Sequence, residues 1–186
     1  VPGRLLLWFT LACCGGFLSQ PVFLTCYGAM GIWVFLKLRR TVDSGHGMPI
    51  LWSTFFPSGV FFVLLYAVDL RFAVNGGGDI YPLWQVIIET LSLTGGGPYA
   101  LGIPALVAAG LVLGAFGNGL RVMARRRDDR WVFHLLVVVV MPLLLLIVLR
   151  RKEVYPRYFI ISVFFLIQAV SIGLADLWQR GGAGRA

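Results

Sequence analysis

The residues best suited to chemistry lie in one basic stretch near the end of the chain. It combines four cations with one carboxylate, in the order Arg150-Arg151-Lys152-Glu153-Val154-Tyr155-Pro156-Arg157-Tyr158. Arginine presents a planar fork of donors that matches the oxygens of a phosphate. Pro156 stiffens the chain just before an apolar run, which fixes where Arg157 points. We predict a phosphate-binding site formed by Arg157, Arg150, Arg151, Lys152 and Tyr155. The alternative is that these residues only anchor the chain to lipid headgroups.

The other polar residues indicate little further chemistry. No group of Cys, His, Asp and Glu has metal-ligand spacing, so we predict neither a metal site nor a cofactor. His46 stands between two glycines, as in a turn. His134 lies one turn into an apolar run, where packing or hydrogen bonding is the usual role. We assign three acids to loop solvation or to secondary contacts with a bound ligand, and leave any catalytic base unknown: Asp69, Asp79 and Glu89.

The composition predicts that these residues belong to a membrane protein. The chain has 186 residues, of which 59% are hydrophobic and 13% charged, against roughly 25% charged in soluble domains. Uncharged runs of the length that a bilayer requires cover 5–36, 50–68, 99–120, 131–149 and 158–175. The formal charge of +8 comes from cations at the ends of these runs, which indicates membrane lipids rather than nucleic acid as partners.

The fold class follows from the apolar runs. They do not alternate between polar and apolar residues, which is typical of helices and not of barrel strands. We predict an all-α, polytopic helix bundle of five or six transmembrane helices, with 1–186 as a single transmembrane domain. The number depends on 5–36, which would be about 48 Å long as one helix. Gly15-Gly16 and Ser19-Gln20-Pro21 at its centre favour a tight helical hairpin, with one long kinked helix as the alternative.

The distribution of Lys and Arg predicts the orientation. With Lys37, Arg39 and Arg40 in the cytoplasm and spans that alternate, 11 cations lie inside and 5 outside, and the reverse orientation inverts this count. We therefore expect a multi-pass protein of a bacterial-type inner cell membrane. The basic stretch 150–158 then lies on the outer side, where positive residues are usually avoided.

The connection 69–98 is predicted to be an extracytoplasmic loop with a short helix on the membrane surface. Trp84, Ile87, Ile88 and Leu91 share one face of this helix, whereas Gln85, Glu89 and Ser92 fall on other faces. In the span that follows, we expect Gly110, Gly114 and Gly117 to let neighbouring helices approach closely. Candidates for hydrogen bonds between helices are Asn118, Ser162, Gln168 and Ser171.

A short motif within the basic stretch resembles a known family. Tyr155-Pro156-Arg157-Tyr158-Phe159, followed by an apolar helix, is similar to a late motif of polytopic glycosyltransferases with the C-type fold. These enzymes use polyprenyl-phosphate-linked sugars and include protein mannosyltransferase-like and aminoarabinose transferase-like members. The order of the preceding elements is similar too, with an outer loop, a glycine-rich span, an Arg-rich inner loop and an apolar span that contains Pro142. The resemblance covers Ile50 to the end.

The resemblance implies an inverting transfer of a sugar from a polyprenyl phosphate carrier to an extracytoplasmic acceptor, with Arg157 near the carrier phosphate. The catalytic carboxylate of the family lies in the first outer loop, and Ser19-Gln20-Pro21 contains no acid. We therefore expect the C-terminal part of a longer enzyme, with the upstream portion of the same protein supplying the base. The alternative is a membrane scaffold or accessory subunit that is not an enzyme and binds anionic lipid through its basic outer stretch.

Overall fold

The structure, a computed structural model, describes residues 3–41, 47–71, 81–149, 153–154 and 159–182. These residues form seven continuous helices and one pair of two-residue strands. Contacts divide the chain into two compact units, 1–77 and 78–186. Among the described residues, four helical segments are long and apolar enough to cross a membrane: Met48–Leu70, Ile103–Arg125, Arg130–Ile147 and Ile160–Gly181. The predicted all-α class is confirmed, and the four helices fit a multi-pass membrane protein.

The described residues of the first unit form three helices. They are α1 (Gly3–Ser19), α2 (Phe23–Thr41) and α3 (Gly47–Leu65), which continues through a wider π-helical turn, Tyr66–Leu70. Aromatic rings join α1 to α3: the ring centroids of Phe9 and Phe55 are 5.3 Å apart, and those of Phe17 and Phe62 are 4.8 Å apart. Because later residues of α1 meet later residues of α3, these two helices run in the same direction.

The chain reverses between α1 and α2. The Phe23 amide donates to the Gln20 carbonyl at 2.9 Å, which closes a tight turn. The Phe17 ring then contacts Phe23 and Tyr27, with centroids 5.3 and 5.1 Å apart. A Cβ on Gly16 would lie 2.7 Å from the Phe23 ring, so only glycine permits this approach. The helical hairpin predicted for 5–36 is therefore formed, and one long helix is not.

Four helices are formed by the residues that the structure describes in the second unit. They are α4 (Leu83–Thr94), α5 (Ile103–Arg125), α6 and α7 (Ile160–Gly182). Helix α6 is continuous from Arg130–Leu135 through a π-helical turn, Leu136–Val140, to Met141–Leu149. The strands β1 (Tyr81–Pro82) and β2 (Glu153–Val154) pair in antiparallel fashion. The main core lies where α5 meets α7, and its buried residues are Val112, Phe116, Met123, Leu166 and Ala169.

Helices α5 and α7 approach most closely at glycines other than those predicted. A Cβ on Gly119 would lie 2.0 Å from the Ala169 carbonyl oxygen, and one on Gly173 would lie 2.9 Å from the Gly119 nitrogen. Each helix thus contributes a pair of small residues four positions apart, Ala115 with Gly119 and Ala169 with Gly173. Asn118 supports this contact, because its side-chain amide donates to the Gly173 carbonyl at 3.3 Å.

The prediction that Gly110, Gly114 and Gly117 mediate close packing is wrong for the described residues. All three are exposed, and a Cβ on any of them would meet no atom within 4 Å. At 3.6 residues per turn these glycines lie on the face of α5 opposite Val112 and Phe116, which face the core. Gln168 and Ser171 are exposed as well, on the outer side of α7.

Helix α4 exists as predicted but is buried on a different face. Val86, Glu89 and Ser92 are its buried residues, whereas the amphipathic pattern placed Glu89 and Ser92 away from the apolar face. The reason is the turn after α4: a Cβ on Gly95 would lie 2.6 Å from Val112 and one on Gly97 would lie 2.6 Å from Ala108. Ala108 and Val112 lie five and nine residues after the first residue of α5, which is about 8 and 14 Å along its axis. The C-terminal end of α4 therefore packs beside the middle of α5.

Candidate functional site

Within the predicted phosphate-binding stretch 150–158, the structure describes only the backbone at 153–154. Arg150, Arg151, Lys152, Tyr155 and Arg157 lie outside the described residues, as do His46 and Asp79. Within the same stretch, Val154 pairs with Tyr81 and Glu153 pairs with Pro82. The backbone at 153–154 is therefore held beside the residues that lead into α4. The sequence did not predict this pairing, because two-residue strands carry no recognisable periodicity.

Phe159 follows the basic stretch and packs into the second unit. It lies against a small buried cluster of Val86 and Leu146, together with Tyr81 and Leu83. This cluster joins α4, the C-terminal end of α6 and the start of α7. Residues 155–158 are thus flanked in the sequence by two described residues, Val154 and Phe159. Both of these contact the segment 81–86.

An apolar cavity of about 210 Å³ lies beside Phe159 inside the second unit. Its walls come from all four helices, and hydrocarbon side chains provide almost the whole lining: Ile87, Thr90, Leu91, Leu113, Phe116, Val138, Val139, Pro142, Leu143, Phe159, Ser162, Val163 and Leu166. Such a cavity fits an apolar chain, because its lining is apolar and no described charged group contributes to it. It offers no acid–base chemistry of its own.

The hydroxyl of Ser162, at the wall of this cavity, compensates for Pro142 on α6. In the π-helical turn the Met141 amide donates to the Leu136 carbonyl, five residues back. The next carbonyl, that of Val137, would take its bond from residue 142, but proline has no N–H. Ser162 supplies the missing donor, with its Oγ 2.9 Å from the Val137 oxygen. The predicted role of Ser162 in bonding between helices is confirmed.

Glu89 is a carboxylate buried within α4. It is 7% exposed, and the amide of Gln85, one turn earlier, donates to its Oε1 at 2.9 Å. The assignment of Glu89 to loop solvation is therefore wrong, because α4 packs along α5 and this contact buries the Glu89 side chain. Ile87, Thr90 and Leu91 line the cavity from about the opposite side of the helix. The carboxylate is consequently not a lining group of the cavity.

His134 has a packing and hydrogen-bonding role, as expected. It is buried, its Nδ1 lies 2.9 Å from the Arg130 carbonyl oxygen, and its ring meets Phe133 and Phe165 edge to face. Because a carbonyl accepts, Nδ1 carries the proton. Among the described residues no cluster of three or more His, Cys, Asp or Glu could hold a metal ion. Cys13, Cys14 and Cys26 are free thiols.

Ion pairs order the opposite end of the second unit, where α5 and α7 end and α6 begins. Asp176 on α7 pairs with Arg126 at 3.2 Å and with Arg180 at 2.6 Å. Asp128 pairs with Arg130 at 2.7 Å, and its Oδ1 also accepts the Arg130 backbone amide at 3.0 Å. Hydrogen bonds from Arg130 hold the pKa of the Asp128 carboxyl below its ordinary value. These pairs tie the α5–α6 turn to α7.

Comparison of the chain with models of known protein families, with curated proteins and with solved structures finds no match. The geometry therefore has to be interpreted on its own. It comprises an apolar cavity lined by Phe159, the residue that follows the basic stretch in the sequence, and a group of ion-paired arginines where α5 and α7 end.

Proposed function

We propose that the chain is a membrane part of a glycosyltransferase that takes its sugar from a polyprenyl phosphate carrier on the outer side of the membrane. The five-residue resemblance at 155–159 suggests this class. In the proposal α1 and α2 add two spans to the four long helices. Arg157 binds the carrier phosphate, and further contacts come from Arg150, Arg151, Lys152 and Tyr155. The base that deprotonates the acceptor belongs to the upstream portion of the enzyme.

The observation that carries the proposal is the position of Phe159. This residue lines the apolar cavity, and Arg157 precedes it by two positions in the sequence. A polyprenyl phosphate combines a charged phosphate with a long apolar chain, so its binding site requires cations next to a channel from which water is excluded. The pairing of Val154 with Tyr81 adds a second tether between the basic stretch and α4.

Glu89 is not proposed as the catalytic base. Its carboxylate bonds to Gln85 on the side of α4 that faces away from the cavity. A general base must come within hydrogen-bond reach of the proton that it removes, and a donor held with its lipid chain in the cavity would leave Glu89 behind the helix.

Binding of the carrier by the purified chain tests the proposal without requiring turnover. A polyprenyl monophosphate would be titrated against the chain in nanodiscs of phosphatidylcholine, with the uncharged polyprenol as the ligand control. We expect the phosphate to bind more tightly than the alcohol. Arg157→Ala should weaken phosphate binding by about 10- to 150-fold, the equivalent of one charged hydrogen-bonding partner. Arg157→Lys should remain impaired because it loses the two-pronged geometry.

Two matched variants sharpen the experiment. Arg151→Ala removes a cation further from the entry to α7 and should weaken binding less, mainly through lipid attraction that salt screens. Val139→Phe fills part of the cavity and should weaken binding of both the phosphate and the alcohol. Equal affinity for the two ligands, or wild-type affinity in Arg157→Ala, would contradict the proposal. Full replacement of Arg157 by Lys would support the accessory subunit that binds anionic lipid.

A further inference from the structure

The arginines around the C-terminal end of α5, including those on α6 and α7, differ in whether a carboxylate pairs with them. Arg126 and Arg180 share Asp176, and Arg130 pairs with Asp128. Arg121 and Arg125 are both exposed, and neither has an ion pair within the described part of the chain. They stand four residues apart, and so project from one face of α5 with their charges uncompensated.

The same face of α5 forms a shallow apolar channel that leads to Arg121. At 100° per residue, Gly110, Gly114, Gly117, Arg121 and Arg125 fall within about 80° of one another. The three glycines leave open space where other residues would carry a side chain. Exposed leucines border the channel on either side, Leu111 at 70% and Leu113 at 51% exposure.

The dimensions of this channel match one leaflet of a bilayer. Gly110 and Arg121 are eleven residues apart, which is about 16 Å along a helix, and half of a hydrocarbon core is about 15 Å thick. A lipid chain that follows the glycines from the middle of the membrane would therefore bring its headgroup phosphate to the level of Arg121. Long arginine side chains reach the headgroup region from such positions.

We infer that this face binds an anionic phospholipid, with its phosphate between Arg121 and Arg125 and one acyl chain along Gly117, Gly114 and Gly110. Charge complementarity favours this occupant over a second copy of the chain. A parallel dimer packed symmetrically through the glycines would bring Arg121 of each copy against that of the other. Arg121 and Arg125 lie near the C-terminal end of α5, and the inference does not rest on the proposed transferase function, although Leu113 also lines the apolar cavity.

Native mass spectrometry of the purified chain with equal amounts of phosphatidylglycerol and phosphatidylcholine tests this inference. We expect the wild type to retain phosphatidylglycerol preferentially. Arg121→Gln and Arg125→Gln should each lower that retention about fivefold, and the double variant roughly 25-fold. Arg126→Gln is the matched control, because it removes the same charge from an arginine that is paired with Asp176.

The glycine channel separates a bound lipid from a bound phosphate ion. Gly114→Leu fills the channel without a clash, since a Cβ there meets nothing within 4 Å, and should weaken phosphatidylglycerol retention while binding of inorganic phosphate does not change. Gly15→Leu, at an exposed position of α1 that is equally open, controls for added apolar surface. Equal retention of the two lipids, or equal losses in Arg121→Gln and Arg126→Gln, would overturn the inference. So would unchanged retention in Gly114→Leu.

Discussion

Ser162 shows how one hydroxyl compensates for a proline on a neighbouring helix. Within a membrane, a carbonyl without a donor is costly because no water replaces the missing bond. Ser162→Ala should therefore lower the free energy of unfolding by about 1–3 kcal/mol, the usual penalty for an unsatisfied buried acceptor. Ser171→Ala, at an exposed position of the same helix, should change it by less than about 0.5 kcal/mol. Thermal unfolding of the purified chain in detergent provides the comparison.

A double-mutant cycle tests whether Pro142 is the cause. Pro142→Ala returns a backbone N–H to α6, so the Val137 carbonyl no longer depends on Ser162. The loss caused by Ser162→Ala should then be smaller in the Pro142→Ala background by about 1 kcal/mol. Equal losses in both backgrounds would show that Ser162 stabilises the chain through packing alone.

Gly119 is the residue at which α5 and α7 have least room. A side chain there would point into the Ala169 carbonyl, so Gly119→Ala should destabilise the chain by about 1–3 kcal/mol, as overpacking generally does. Gly114→Ala, on the open face of the same helix, should be neutral or stabilising by up to about 1 kcal/mol, because alanine is the better helix former. The unfolding midpoint of Gly119→Ala should fall below that of the wild type, whereas that of Gly114→Ala should stay the same or rise. Similar midpoints would argue against the close contact.

The α5–α6 turn depends on the charge of Asp128. Its pKa is lowered in the folded state by hydrogen bonds from Arg130, so the carboxylate contributes stability above its unfolded pKa of about 3.9. That contribution is lost as pH falls through the folded pKa. Asp128→Asn should therefore be less stable than the wild type at pH 7, by less than about 1 kcal/mol for this partly exposed pair. The difference should vanish in strongly acidic buffer, and a difference that does not depend on pH would contradict the ion pair.

Elements with local sequence signals were predictable, whereas the face of each helix that contacts its neighbours was not. Gln20-Pro21 breaks the first apolar run through backbone chemistry alone, so the hairpin could be predicted. The choice between Gly114 and Gly119 as the close contact depends on which face of α5 meets α7, and both faces carry small residues. Glu89 was misassigned for the same reason, since the turn at Gly95 folds α4 along α5. Ser162 was predictable as a donor between helices because it lies within an apolar span, but its acceptor was not, since the π-helical turn before Pro142 leaves the Val137 carbonyl without its donor.

At the scale of the whole molecule, the sequence identifies candidate residues by type but not the cavity lined by Phe159. The basic residues at 150–157 stand out by type and by their place at the end of an apolar run, and their role stays a prediction. The cavity could not be predicted, because its walls come from four helices whose residues are far apart in the chain. These walls depend on a π-helical turn in α6 and on the packing of α4 along α5, and both features depend on contacts between helices.

The direction in which the chain crosses the membrane decides whether the basic stretch can meet a substrate outside the cell. Helix α5 has 23 residues, about 34 Å, so its two ends must lie on opposite sides of a bilayer core of about 30 Å. Tyr99 lies just before this helix and Arg127 just after it, and both are exposed. The excess of 11 cations over 5 predicts that Arg127 is cytoplasmic and Tyr99 is outside.

In a background in which Cys13, Cys14 and Cys26 are replaced by alanine, a thiol reagent that does not cross membranes should label Tyr99→Cys in intact cells. It should label Arg127→Cys only after the cells are opened. The reverse pattern would place residues 150–158 in the cytoplasm and remove the basis for an extracytoplasmic phosphate site.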